Sequence, residues 1–241
     1  MKFKTLLICC FIIANLAHAQ ESSDSTKSKW KVNVAADLMS RYIWRGLDYG
    51  ASPNIQPTLA LRKGNFEVGY WGAISILGTY SEVDLYAKYS YKNFSAIVTD
   101  YFFPIDGVPT NNYQKYFNYN SDNTNHLAEV VLQYKGGEKF PLSLLAGTIV
   151  YGNDKDSLYN NRYSTYLEAG YSFKFSENNV DMFVGLTPHE GLYGSDLRIV
   201  NIGITGYRNI EITDKFSLPV KASIIINPHV DNIYFAFGIT F

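Results

Sequence analysis

Only two cysteines occur in 241 residues, and both, Cys9 and Cys10, lie among the first twenty. Past that point there is no thiol, so disulfides, thiolate catalysis and cysteine–metal sites are excluded there. Long apolar runs are lacking as well. Nothing after residue 20 approaches the roughly 20 apolar residues of a membrane-spanning helix, which excludes a helical membrane protein. Neither sign of charge dominates, with 21 Lys and Arg against 22 Asp and Glu, so no electrostatic case exists for nucleic acid. No His, Cys and Asp spacing suggests a metal, and no glycine loop opens a helix for phosphate. No cofactor is expected.

The N-terminus is basic and then apolar. Met1-Lys2-Phe3-Lys4 precedes an apolar stretch over residues 5–16, and Ala17-His18-Ala19 is a small-x-small cleavage site. This pattern predicts an export signal over residues 1–19, with the mature chain starting at Gln20. Cys9 and Cys10 fall inside the apolar stretch, where a lipid-bearing cysteine would follow it. Removing Lys2 and Lys4 leaves 19 basic residues against 22 acidic, a balance of −3. Residues 20–29 are polar and lack aromatics, so they predict a disordered leader. Residues 30–241 show no second compositional break and predict one β-domain.

Alternation runs through the whole of that domain. Its clearest instance is the last segment, where Ile233, Phe235, Phe237, Ile239 and Phe241 share one face and Tyr234, Ala236, Gly238 and Thr240 share the other. A strand has a side-chain period of two, so one face is wholly apolar and the other small or polar. The same period predicts strands over about 30–41, 55–62, 66–76, 82–91, 94–103, 126–134, 142–151, 163–173, 180–187, 199–207, 216–227 and 233–241. The connections alternate between tight turns, such as Lys63-Gly64-Asn65, and longer polar loops, the longest spanning 104–125. Short turns at one end and long loops at the other are the asymmetry of outer-membrane barrels. The expected fold is therefore all-β: a transmembrane antiparallel barrel of about 12 strands with both termini periplasmic. A secreted β-sandwich would show neither the length asymmetry nor uninterrupted strands.

The 20 Tyr and 15 Phe fit this reading. Tyr70, Tyr89, Tyr91, Tyr134, Tyr171 and Phe173 lie near strand ends on the apolar face, as interfacial girdles do. Tyr113, Tyr116, Phe117 and Tyr119 lie in the long loop and read as packed or mobile loop residues rather than a sugar-stacking surface. On the polar faces, Lys31, Arg41, Arg45, Arg62, Lys88 and Lys221 point inward with Asp37, Glu67, Glu82, Asp84, Glu129, Glu168 and Asp181. Arg41, Arg45, Arg62, Glu67, Glu82, Asp84, Lys88, Glu129, Glu168, Asp181 and Lys221 are the candidate pore-lining residues. Arg41, Arg45 and Arg62 cluster on strands one and two, whereas Glu67, Glu82 and Asp84 cluster on strands three and four. Separated arcs of this kind screen solutes by charge.

Ser40-Arg-Tyr-Ile-Trp-Arg-Gly46, followed by Gly50-Ala-Ser-Pro53 and Gln56, resembles the opening motif of the TorF-type porin family. The resemblance covers Tyr42, Trp44, Arg45, Gly46 and Pro53. It implies a small outer-membrane barrel of a Gram-negative bacterium and leaves the solute open. From the residues themselves, Gly46 suits backbone angles closed to other residues, and Arg45 is placed to pair with a wall carboxylate. The expected function is passive passage of small hydrophilic solutes. Outer-membrane lipid and the barrel-assembly machinery are the expected partners. The alternative is a closed barrel whose outside loops bind a ligand or partner.

An enzyme is not expected. A barrel lipase needs a Ser near a His with a polar orienting group. His126 is followed by Leu127 and Ala128, and His229 lies in a loop. A protease grouping of His189, Glu190 and Asp196 is the remaining possibility, and a weak one.

Overall fold

The structure is a computed structural model, and it describes residues 29–104 and 111–241. The expected export signal, both cysteines and all but the last residue of the expected leader lie outside the described residues.

Twelve strands close into one antiparallel barrel. They are β1 (Lys31–Met39), β4 (Asn54–Lys63), β5 (Phe66–Ser75), β6 (Ser81–Tyr91), β7 (Phe94–Phe102), β8 (His126–Lys135), β9 (Leu142–Gly152), β10 (Thr165–Phe175), β11 (Asn178–Thr187), β12 (Arg198–Thr213), β13 (Phe216–Asn227) and β14 (Asn232–Thr240). Two further strands, β2 (Tyr42–Trp44) and β3 (Leu47–Tyr49), pair only with each other. Each barrel strand pairs with its neighbours along the chain, and β1 meets β14 to close the ring. Closure removes the free edges that an open sheet of this size would expose.

Alternation decides which side faces out. On β14, Phe235 and Phe237 are 66% and 67% exposed, while Tyr234 and Ala236, which alternate with them, are each 6% exposed. On β1, Val32 and Val34 are exposed as well. An apolar outer wall around a polar or small-residue interior is the inverse of a soluble core, and it suits a lipid surround. Tyr89, Tyr91, Phe94 and Tyr171 stand exposed on that wall near the short-turn end, and Phe94 packs on Tyr134 with centroids 5.1 Å apart.

The ends of the barrel differ as expected. At one end the chain turns through Gly64-Asn65, Lys92-Asn93, Ser176-Glu177 and Asp214-Lys215. Lys92 and Ser176 take positive φ, the backbone cost of so short a reversal. The β8–β9 connection at this end, 136–141, is longer, while the connections at the other end run from four residues (228–231) upward, and β1 starts and β14 finishes at the short-turn end.

Three boundaries depart from the periodicity. The first strand stops at Met39, short of Arg41. β10 starts at Thr165 because Tyr163 has a φ of 54°, which strand geometry forbids. β12 runs to Thr213, beyond the expected Tyr207, since Ile210 and Ile212 continue its outward apolar face. Arg208 and Asn209 hide this continuation in the sequence, and Arg208 there pairs with Glu177 at 2.7 Å.

Candidate functional site: the barrel lumen

The motif 40–46 does not end a wall strand. It makes a hairpin, β2–β3, that occupies the lumen. Tyr42 pairs with Tyr49, Ile43 with Asp48 and Trp44 with Leu47, so Arg45-Gly46 is a two-residue turn. Both turn residues have positive φ, 53° and 80°, the signature of a type I′ turn. Glycine meets that demand at its position. A Cβ at Gly46 would lie 2.0 Å from the carbonyl oxygen of Val200, so the close approach to the wall needs glycine too.

Aromatic side chains seat the hairpin against the wall. Tyr42 packs on Trp71 at 5.3 Å and on Tyr80 at 5.9 Å. Trp44 lies 5.6 Å from both Tyr101 and Tyr193. Tyr193, from the loop between β11 and β12, is buried and clusters with Tyr166 and Val200. Asn227 donates from Nδ2 to the Gly46 carbonyl at 3.0 Å.

Arg45 fixes the tip. Its Nη1 and Nη2 donate to the two oxygens of Glu129 at 2.5 and 3.0 Å, and Nη1 also donates to the Tyr193 hydroxyl. Tyr101 donates to Glu129 Oε2 at 2.8 Å. The guanidinium lies 4.5 Å from the Trp44 ring centroid and 4.8 Å from that of Tyr166, a cation–π sandwich. Glu129 is fully buried, so its charge depends on this bidentate partner. Wall residue Gly147 leaves the space, because a Cβ there would come within 2.6 Å of Glu129 Oε1.

The sequence-predicted residues are thus distributed differently from the expected arcs. Arg45 sits at the hairpin turn rather than on the first strand. Arg41, in the connection to the hairpin, pairs with Asp48 at 3.2 Å. Only Arg62 of the three arginines is on the wall, at the short-turn rim, where its Nε donates to the Gly64 carbonyl at 3.3 Å. The basic arc on adjacent strands therefore does not exist, because the chain folds inward after Met39. Glu67 and Lys88 lie near the same rim in register with each other, and Glu67 accepts from Tyr86 at 3.0 Å. Glu82 and Asp84 are buried at the opposite end. Glu82 accepts from Tyr80 at 2.7 Å, while Asp84 Oδ1 has no hydrogen-bond partner. Lys221 reaches across β14 to Asp37 at 2.7 Å, and Thr240 donates to the other oxygen of Asp37 at 2.6 Å. Below the hairpin lies a cavity of about 330 Å³, lined in part by Arg45, Glu168 and Asp181.

Tyr42, Trp44, Tyr101, Tyr166, Tyr193 and Asn227 are structural partners that periodicity alone does not single out. A signal for the hairpin was present: two aromatic-bearing triplets flank Arg45-Gly46.

Among the described residues the histidines form no triad. His126, with Asp100, lies on the outward side of the wall, where loop residues cover it. Its Nδ1 is 2.8 Å from Asp100 Oδ1 and its Nε2 donates to the Tyr116 carbonyl at 2.6 Å, while Tyr119 stacks on the ring at 4.2 Å. Tyr119 donates to Asp100 at 2.9 Å, and burial and this bond hold its phenol well above its usual range. Loop residues 116–124 thus pack as a cap over an outward polar pair that lipid could not satisfy. The Asp196 carboxylate turns to Arg198 and that of Glu190 to Arg162, so neither carboxylate orients His189, whose Nδ1 lies 2.9 Å from the Glu190 backbone carbonyl. Among the described residues no three His, Asp or Glu gather as a metal site.

No protein-family model and no curated protein matches the chain. The TorF-type resemblance therefore rests on the opening motif alone. Among solved structures, the chain is similar to an outer membrane channel from Pseudomonas putida F1, at 14% identity and a TM-score of 0.38, over 91% of this chain and 98% of that one.

Proposed function

We propose that the chain is an outer-membrane barrel that passes small hydrophilic solutes through a lumen narrowed by hairpin β2–β3. The observation that carries this reading is the twofold character of the wall. The exposed outward face is apolar, while the inward face carries Lys31, Asp37, Glu67, Lys88, Glu168, Asp181 and Lys221, around a polar cavity under the hairpin. Charged groups inside a membrane protein are tolerated where they pair or meet water. Twelve strands stand between the eight that side chains fill and the 16 or more that leave an open channel, so a folded-in segment sets the bore. Residues 1–19 serve export, the short turns and both termini face the periplasm, and assembly machinery inserts the barrel into lipid. Single-channel recording in planar bilayers tests the reading: small, discrete conductance steps are expected.

The second reading is a closed barrel with binding loops, favoured by the buried Arg45–Glu129 pair at the hairpin tip. Folded protein that never conducts would establish it in place of the first.

A further inference from the structure

Glu82 and Asp84 stand two residues apart on the inward face of β6, at the long-loop end of the lumen. They are 3% and 4% exposed. Neither forms an ion pair among the described residues, and Arg45, the base buried in this lumen, is already matched to Glu129. Glu82 accepts from the Tyr80 hydroxyl at 2.7 Å, and its carboxyl group is hydrogen-bonded to that of Asp84. Asp84 Oδ1 has no hydrogen-bond partner.

An ionised carboxylate only accepts, so two of them cannot bond to each other. The contact needs a proton between them, as in other carboxyl pairs that share one site. The groups that face the pair offer no other remedy. They are Tyr80 just before β6, Tyr70 on β5, Tyr101 and Asp100 on β7, Tyr42 and Tyr49 on the hairpin, and Tyr116 in the long loop. Phenols carry no charge at neutral pH. Asp100 is a further acid, with His126 as its own partner. The root of the hairpin closes over this corner. The Tyr80 ring lies 5.1 Å from that of Tyr49 and 5.9 Å from that of Tyr42, and Tyr42 packs at 5.3 Å on Trp71, the register partner of Asp84.

We propose that Glu82 and Asp84 share one proton and form a pH-sensitive latch for the root of hairpin β2–β3. With the proton in place, the pair carries a single charge, and Tyr80 donates to it. Once the proton leaves, two adjacent negative charges stand in a buried space without a base, which is costly. Water must then enter, and Tyr80, Tyr42 and Tyr49 are the side chains that give way. The docked arrangement binds a proton that two water-exposed carboxylates would release, so its stability falls as pH rises. Arg45 and Glu129 hold the tip throughout, so the root loosens while the hairpin stays in the lumen. The latch rests on the channel reading only for its effect on passage, since a loosened root widens the bore.

The test uses full-length protein folded in detergent in a Trp30→Phe background, which leaves Trp44 and Trp71, both at the hairpin, as the emitters. Emission and infrared spectra are followed from mildly acidic to alkaline pH, with conductance in bilayers over the same range. On raising the pH, one emission step toward a wetter environment is expected. It should coincide with loss of a protonated-carboxyl band and with a rise in conductance. Asp84→Asn and Glu82→Gln each place a permanent donor where the proton was. Each should lose the step and the band and keep the low conductance at alkaline pH; the compact, heat-modifiable gel band checks their folding. Both keep every tyrosine, so a step that persists in them belongs to the phenols and overturns the proposal. Where neither variant folds, the unsubstituted pair decides: no protonated-carboxyl band at neutral pH, or a band whose loss leaves emission unchanged, overturns it. The emission step and its matching band in protein that never conducts support the latch and remove the channel reading. Conductance with pH-independent emission removes the latch and leaves the channel.

Discussion

Arg45 concentrates several physical demands in one residue. It takes a positive φ that disfavours a side chain of its size, it carries a charge into a buried place, and it stacks between two rings. Glu129, 84 positions away, satisfies the charge on both oxygens. Arg45→Ala strips Glu129 of its counter-charge, and breaking such a pair costs about 3–5 kcal/mol. The expected outcome is a lower temperature for the heat-induced gel shift of the folded barrel. Arg45→Lys should recover only part of the loss, because an ammonium cannot make the forked pair or the stack. Gly46→Ala should be damaging in its own right, since its methyl would meet the Val200 carbonyl. At this scale the sequence was half legible. The Arg-Gly pair stood out and so did a wall carboxylate as its partner, but nothing local selects Glu129 from the other inward acids.

At the scale of elements, the hairpin separates what could be read from what could not. The twelve wall strands were legible because each has nine or more residues, most of them alternating, with apolar side chains on one face. β2 and β3 have three residues each, too few to establish a period, and their apolar groups face wall aromatics instead of lipid. The turn type was the readable part, had Arg45-Gly46 been weighed as a reversal and not as a strand end. Replacing residues 42–49 by a short Gly-Ser linker should keep the barrel, since these strands pair only with each other. The expected outcome is a several-fold larger single-channel conductance. An unchanged conductance would place the narrowest point elsewhere.

At the scale of the molecule, orientation and closure make two further expectations. The chain has no cysteine beyond Cys10, so single introduced cysteines can be labelled without interference. On intact cells a membrane-impermeant maleimide should reach Phe117→Cys, which replaces an 89% exposed loop residue, and should reach Asn65→Cys only after the outer membrane is broken. The reverse pattern would invert the topology. Phe241 exchanges backbone hydrogen bonds with Ala36, at 2.9 and 3.2 Å, and its ring is exposed on the outer wall. Phe241→Asp would set a charge on that lipid-facing surface at the closing strand, and a sharp fall in assembled barrel is expected, read as the heat-modifiable fraction in outer membranes.

The closing seam has a consequence for the order of folding. β1 is paired along its whole length with β4, its near neighbour in the chain, but against the C-terminal strand the backbone contact spans only residues 36–40 with 237–241. Eleven of the twelve wall contacts can therefore form as hairpins between successive segments, at small loop-closure cost. The twelfth joins segments about two hundred residues apart and offers few backbone bonds in return, helped by Ser40 to Phe237 and by Asp37 to Lys221 and Thr240. The ring should thus exist first as an open, curled ribbon whose last step is the slowest, and weakening Asp37 should slow that step more than it lowers the stability of the finished barrel.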